Sequence, residues 1–401
     1  MSFTIGLVGK PSAGKSTFFK AATLAEVAIA SYPFTTIKPN VGTGYVRVEC
    51  ADKDFDRQCN PRFGFCLDHV RFVPVEIIDV AGLVPGAHEG KGLGNQFLSD
   101  LNQADILIHV VDASGSTNEK GEDVGVGNHD PAKDIRFLED EIDLWYASIL
   151  WRNWNKLARS ANMTKKKIEE AIAEQLSAMK VTEFIANHAI IDVNPSESDS
   201  EKWSYEDIKK ISTILRKKTK PLIIALNKAD TPTAEKNIEK LKKEFPDTFF
   251  VSCSAEMELA LREAAKKELI SYVPGNSSFD IKNADGLNDK QKAGLEFMKK
   301  FLDDNETTGV QQALDSAVFE FLKYIAIFPG GVNKLSDSKG NVLPDCFLMP
   351  PNSTAKDFAY ALHTDFGKHF LYAMDVRKKQ RISGEQELKH RDVVEIISAA
   401  K

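Results

Sequence analysis

An α/β fold is what this chain predicts: a doubly wound, mostly parallel sheet with an inserted helical domain and a small C-terminal α+β domain. Three observations carry that reading. Short β-rich apolar runs recur at residues 4–8, 75–78, 106–111, 221–226 and 248–251, with helical periodicity between most of them. More than a hundred residues separate Asp112 from Pro221, far beyond one crossover connection. The texture changes again near residue 323, where short strands and turns begin to alternate.

The first run leads directly into Gly9-Lys10-Pro11-Ser12-Ala13-Gly14-Lys15-Ser16-Thr17 and a helical pattern. The second ends at Asp79 and the third at Asp112. Residues 115–128 are Gly-rich and polar, and a mobile loop is expected there. From Pro131 the pattern turns helical, with Ile135, Leu138, Ile142, Trp145, Tyr146, Ile149 and Leu150 at three-to-four spacing. Two more helices are expected, over 165–179 with Ile168, Ile172 and Leu176 on one face, and over 204–218. Together these read as a hairpin of long helices inserted into the sheet. The fourth run ends at Asn227, and Ser254-Ala255 closes the fifth. Between residues 325 and 394, strands and turns at Gly340-Asn341 and Ser383-Gly384 surround a helix over 354–363. The expected boundaries are 1–130 and 219–322 for the two parts of the main domain, 131–218 for the insertion and 323–401 for the C-terminal unit.

At 401 residues the chain can form two or three domains with a sizeable core. Its 42% hydrophobic and 27% charged content is that of an ordinary globular protein. A net charge of −6 argues against indiscriminate polyanion binding, although Lys165-Lys166-Lys167 and Arg216-Lys217-Lys218 are local basic clusters. No apolar run approaches the roughly 18 residues of a membrane span, and no basic-then-apolar leader opens the chain. Five irregularly spaced cysteines make no disulfide framework. A cytoplasmic, reducing compartment and no membrane partner are expected.

The run Gly9 to Ser16 matches G-x-x-x-x-G-K-[ST] in full and lies between a strand and a helix, the setting of a phosphate loop. Its glycines let successive N–H groups point at phosphate oxygens, and the helix N-terminus adds a favourable dipole. That makes the fold a P-loop NTPase. Lys15 is assigned to the β- and γ-phosphates and Ser16 to Mg²⁺. Asp79, ending an apolar strand, is the expected magnesium-organising carboxylate, and Gly82 the expected backbone contact to the γ-phosphate. Thr36 is the first choice for the switch magnesium ligand, with Thr35 the fallback. Asn227-Lys228-Ala229-Asp230 selects the base, because a carboxylate accepts two hydrogen bonds from guanine that adenine cannot offer. Asn227 and Lys228 would brace the loop and cover the base, and Ser254-Ala255 suit a backbone contact to the guanine oxygen. The implied ligands are GTP or GDP with Mg²⁺.

These motifs, with Tyr32-Pro33-Phe34-Thr35-Thr36 and the run from Asp79-Val80-Ala81-Gly82-Leu83 to Gly94-Asn95, resemble the Obg-related GTPases, nearest to their YchF-like branch of archaeal and fungal type. The stretches Asp337 to Pro344 and His363 to Lys368 resemble the small TGS domain of such proteins. The resemblance covers essentially the whole chain. It implies a GTPase domain with a helical insertion, a C-terminal TGS domain, and association with the ribosome or another translation-linked RNA–protein particle. Two departures stand out. YchF-like relatives carry a degenerate base motif ending in Glu and favour ATP, whereas Asp230 restores the guanine-reading form. Ser12 stands where Obg-type loops usually have a potassium-binding Asn, so potassium-stimulated hydrolysis is not carried over.

Leu83 occupies the place where a water-orienting Gln sits in Ras-like switches, so intrinsic hydrolysis is expected to be slow. His88, in the Gly-rich run 86–94 expected to act as a switch, is one candidate for the missing role, and His129 is another; a structural loop histidine is the alternative for both. Cys50, Cys59 and Cys66 with His69 are open to two readings, ordinary thiols, which the absence of any C-x-x-C pair favours, or zinc ligands. The two basic clusters read as solvated helix faces or as RNA phosphate contacts. Trp145, Trp151 and Trp154 read as helix packing. A slow GTPase switch, favoured as a monomer, is the resulting expectation; a YchF-like ATPase and a nucleotide-gated scaffold are the alternatives.

Overall fold

Strand β1 (Thr4–Val8) shows why the sheet forms: all five residues are buried, as a parallel strand covered on both faces requires. The computed structural model describes residues 3–24, 40–80, 100–284 and 286–399. After β1 come α1 (Lys15–Thr23), β2 (Val41–Glu49), the short β3 (Phe65–Leu67), β4 (Val70–Asp79) and β5 (Ile106–Asp112). Five helices follow: α2 (Pro131–Trp151), α3 (Trp154–Thr164), α4 (Ile168–Gln175), α5 (Glu183–Val193) and α6 (Tyr205–Thr219). The chain returns through β6 (Leu222–Asn227), α7 (Ala234–Glu244), β7 (Phe250–Ser252), α8 (Ala255–Lys266), β8 (Ile270–Ser271), β9 (Asp280–Ile281), α9 (Asp289–Asn305) and α10 (Val310–Asp315). Last come β10 (Ile325–Pro329), β11 (Phe347–Met349), α11 (Ala355–Leu362), α12 (Thr364–Lys368), β12 (Phe370–Asp375), β13 (Gln380–Ile382) and β14 (Val393–Ser398). Internal contacts divide the chain into two units, residues 4–16 with 78–253, and residues 1–3 with 17–77 and 254–401.

In the first unit β1, β5, β6 and β7 pair in that order, every pair parallel. The five expected strands all form; β4 is longer than its apolar stretch, because its outer half pairs antiparallel with β3. β5 buries all seven residues, and Val111, Ile224 and Leu226 pack with Ile135 of α2 and Ala234 and Leu241 of α7. At the end of β4 the Val80 N–H donates to the Leu7 carbonyl, 3.0 Å away, which aligns Asp79 with the end of β1.

The insertion differs from the expected hairpin of long helices. Only α2 and α6 are long; the stretch between them breaks into three short helices. The second expected helix begins at Ile168, because Lys165 turns left-handed (φ 55°) and ends α3 instead. Pro131 starts α2 behind the Asp130 cap, and Ser204 with Asp207 forms a capping box on α6. Arg216 is not a solvated face residue: it is buried and pairs with Asp143 at 2.8 Å, while Lys217 and Lys218 are exposed. Trp154 stacks on Trp203 with centroids 5.5 Å apart, and its indole donates to the Ser200 carbonyl. Trp145 is buried, but Trp151 is 41% exposed and touches Tyr205 edge-on.

In the second unit β2 lies beside β4, and sequence reading missed both β2 and β3. The alternation in Val41-Gly-Thr-Gly-Tyr-Val-Arg-Val-Glu49 is the period-two signal that could have found β2. The Arg47 N–H donates to Asp315 at the end of α10, and Gln311 of the same helix donates to the Tyr45 carbonyl at 2.8 Å. Burial pushes the Asp315 carboxyl up to about 7, against the lowering effect of these donors. Strands β8 and β9 form a two-stranded ribbon under which Leu261, Tyr272, Leu295 and Leu302 pack. Toward the C-terminus a sheet in the order β11-β10-β14-β12-β13 packs on α11 through Phe358, with Thr354 and His363 bounding the helix as expected.

Candidate nucleotide-binding site

Gly9 ends β1 where a Cβ would come within 2.6 Å of the Val110 carbonyl, so only a glycine lets the loop leave the strand beside β5. Ser12 (φ 61°) and Gly14 (φ 91°) then take left-handed conformations, and Lys15 opens α1 with Ser16 exposed beside it. A Cβ on Gly14 would run into the side-chain amide of Asn227. That amide donates to the Ala13 carbonyl at 2.9 Å. The base loop is thereby latched to the phosphate loop by its first residue.

Lys15 pairs through its ammonium with Asp79. The loop lysine, the carboxylate ending β4 and the Ser16 hydroxyl are thus brought to one end of the sheet, where open α/β sheets hold ligands. A hydroxyl and a carboxylate are the hard oxygen donors that Mg²⁺ takes, so Ser16 and Asp79 fit that ion. Thr17, the next residue of α1, is half-buried.

Lys228 (φ 61°) sends its ammonium to Asp112 at 2.9 Å and to the Ser116 hydroxyl at 3.1 Å. The buried Asp112 carboxylate also accepts from Ser114, Ser116 and Thr117. Burial works to raise that carboxyl, but the hydrogen bonds from Ser114, Lys228 and Thr117 outweigh it and hold it below its ordinary range. The Ala229 N–H donates to the Cys253 carbonyl, and Thr231 caps the turn through the Lys228 carbonyl. Asp230 is half-buried, and its carboxylate has no hydrogen bond or ion pair among the described residues. It is the uncommitted acceptor of the loop.

Sequence reading missed a polar network behind the phosphate loop. The Lys10 ammonium is buried between Asp134, at 2.8 Å, and the Thr117 carbonyl, so only its backbone can face a phosphate. His129, buried, binds the other oxygen of Asp134 at 2.9 Å, a structural role rather than a water-orienting one. Burial raises the Asp134 carboxyl even against Lys10 and His129. Residues 115–128, expected as a mobile loop, are bound by local contacts: Asn118 receives the Lys120 and Glu122 N–H groups at 3.0 Å, and Gly121 (φ 80°) lies against Pro11. Asp112 was the available signal, a second aspartate ending an apolar strand. Thr35, Thr36, Gly82, Leu83, His88 and the run 86–94 lie outside the described residues. Ser254 caps α8, accepting from the Met257 N–H and donating its own N–H to the Thr308 carbonyl, and Ala255 is buried.

Comparison with known proteins places the chain among P-loop GTPases. Residues 4–137 match a family described as a 50S ribosome-binding GTPase. Residues 225–331 match the G4 motif-containing domain of an Obg-like GTPase, YGR210-like, and residues 339–398 match the TGS domain. An uncharacterized GTP-binding protein of Methanocaldococcus jannaschii is 48% identical over 398 residues, covering 99% of each chain. The ribosome-binding ATPase YchF of Bacillus subtilis is 30% identical, covering 96% of this chain and 91% of its own. The crystal structure of a GTP-binding protein from Pyrococcus horikoshii superposes with a TM-score of 0.76 at 37% identity, covering all of both chains.

Proposed function

Because the chain belongs to the YchF/Obg-like family of P-loop GTPases, we propose that it is a magnesium-dependent switch that binds and hydrolyses GTP in association with the ribosome. The observation that carries the choice of guanine is Asp230, an uncommitted carboxylate on a loop whose other members are all engaged. Asn227 holds that loop on the phosphate loop and Lys228 holds it on Asp112, so the acceptor is preorganised and its binding energy is not spent on ordering. The backbone N–H groups of residues 9–16 and the Lys15 ammonium would hold the phosphates, Lys15 leaving Asp79 as they arrive. Ser16, Asp79 and Thr36 would hold Mg²⁺, which when bound offsets phosphate charge. The backbone of Gly82, with His88 as the candidate water-orienting group, would complete the γ-phosphate side, and Ala255 the guanine side. The helical insertion and the C-terminal domain would report the nucleotide state to the ribosome, a partner supported by the ribosome-binding descriptions of the matching family and of the Bacillus relative.

Equilibrium binding of labelled GDP, competed with GTP and ATP, tests the reading on the wild type and Asp230→Ala. Guanine nucleotides should win by orders of magnitude, and the variant should lose that preference. Equal competition by ATP sinks the guanine assignment and favours the second reading, an ATPase like the Bacillus relative.

A further inference from the structure

Residues 50–69 leave β2, make a short 3₁₀ turn over Ala51–Phe55 and return through β3. Left-handed Asp56, Asp68 and His69 (φ 50°, 47° and 59°) turn the chain back on itself, and the Cys50 N–H closes the loop on the His69 carbonyl at 2.8 Å. The result is a convergence that irregular spacing conceals. The Cys50 and Cys59 sulfurs are 3.5 Å apart, and the sulfurs of Cys50, Cys59 and Cys66 lie with an Asp52 carboxylate oxygen inside a 4.8 Å span. A tetrahedral zinc with Zn–S bonds of about 2.3 Å needs sulfurs roughly 3.8 Å apart. The four groups are already spaced for one ion.

Ordinary core packing does not account for this set. Buried thiols alone behave as small apolar groups, and apolar packing gives no reason for a fully buried carboxylate to converge on three of them. Asp52 is oriented from two sides: it accepts the Cys59 N–H at 2.9 Å and bonds His69 Nδ1 at 2.9 Å, the arrangement an outer partner gives a metal ligand. Arg71 is buried on β4; its Nη2 donates to the Leu343 carbonyl, its Nε and Nη1 find no hydrogen-bond partner among the described residues, and its positive charge acts on Cys59 and Cys66. It would offset the negative charge that three thiolates and a carboxylate leave around a divalent ion. Cys66, half-buried, gives the entry side.

We propose that Cys50, Cys59, Cys66 and Asp52 bind one zinc ion. With all four positions filled by the chain, the site is structural, not catalytic. What it would tie down is the loop carrying the C-terminal domain's contacts. The Asn60 and Arg62 N–H groups donate to the Val342 and Pro344 carbonyls at 2.9 and 2.8 Å, and Asp54 pairs with Arg377 at 2.6 Å.

The test uses the full chain, purified under reducing conditions without chelator, with zinc measured by plasma mass spectrometry and cobalt(II) as a spectroscopic probe. The expected result is about one zinc per chain, and for cobalt a thiolate charge-transfer band with the strong visible bands of a tetrahedral ion. Cys66→Ser should lose those bands, and His69→Ala should weaken zinc binding about 10–100-fold. A cooperative melt shows whether a variant has folded, and the wild-type cobalt spectrum decides the matter even if none does. A metal content near zero with no cobalt bands, a Cys50–Cys59 disulfide in the unreduced protein, or full zinc retention by folded Cys66→Ser would each overturn the site.

Discussion

Asp230 and Gly14 are where the proposed reading is tested residue by residue, one by the carboxylate it offers and the other by the Cβ it lacks. Two charge-assisted hydrogen bonds to guanine at about 1.5–3 kcal/mol each mean that Asp230→Ala should weaken GDP binding by roughly 100-fold or more while leaving ATP binding unchanged. Isothermal titration with both nucleotides reads that split. Gly14→Ala would force a left-handed residue to carry a Cβ into the Asn227 amide, so the latch to Ala13 opens. Its expected outcome is loss of measurable GDP binding with a folded far-ultraviolet spectrum; retained binding would show that the latch is dispensable. Lys15, Asp79 and Asn227 were legible as candidates because each stands in a short motif at the end of an apolar strand. Lys10 was not: it stands inside the phosphate-loop motif, yet its ammonium is turned to Asp134, a partner 124 residues further on. No local pattern encodes that.

Among elements, the pairs α2 with α6 and β2 with α10 hold buried charge, and this makes them testable. Asp143→Ala strands the Arg216 guanidinium between α2 and α6, which should cost about 3–5 kcal/mol and lower the melting temperature by several degrees. A melting curve within a degree of the wild type would show that Glu139, also near Arg216, suffices. For Asp315 the sign follows from its raised folded pKa. Its unfolded value is about 3.9, so its contribution is full below about pH 4 and lost as pH rises through about 7. Urea unfolding should therefore show stability falling across that window, and Asp315→Asn should flatten the fall. The helical periodicity of α2 located that element correctly; α3 and α5 escaped, and α4 was expected too long, because Lys165 and Asn194 end α3 and α5 in left-handed turns and α4 stops at Leu176 before a 3₁₀ turn closed by left-handed Lys180, none of which apolar spacing announces.

For the whole molecule, nucleotide binding and folding are linked through mass action. GDP at a hundred times its dissociation constant should stabilise the native chain by about 2.7 kcal/mol, read as a rise in melting temperature that Asp230→Ala does not show at the same concentration. An equal rise in the variant would mean that the stabilisation does not pass through the base loop. The sequence by itself determined the P-loop nucleotide-binding class, the five strands that carry its motifs, and the family to which the chain belongs. It could do so because a phosphate loop or a base loop is made of backbone geometry and donor sets within a few residues of one another. Only the tertiary structure decided that Arg216 is buried, that residues 115–128 are pinned against the phosphate loop, and that Cys50, Cys59, Cys66 and Asp52 converge. Burial and convergence depend on which distant segments pack together, and the energy that selects that packing is spread over the whole core and written in no single motif.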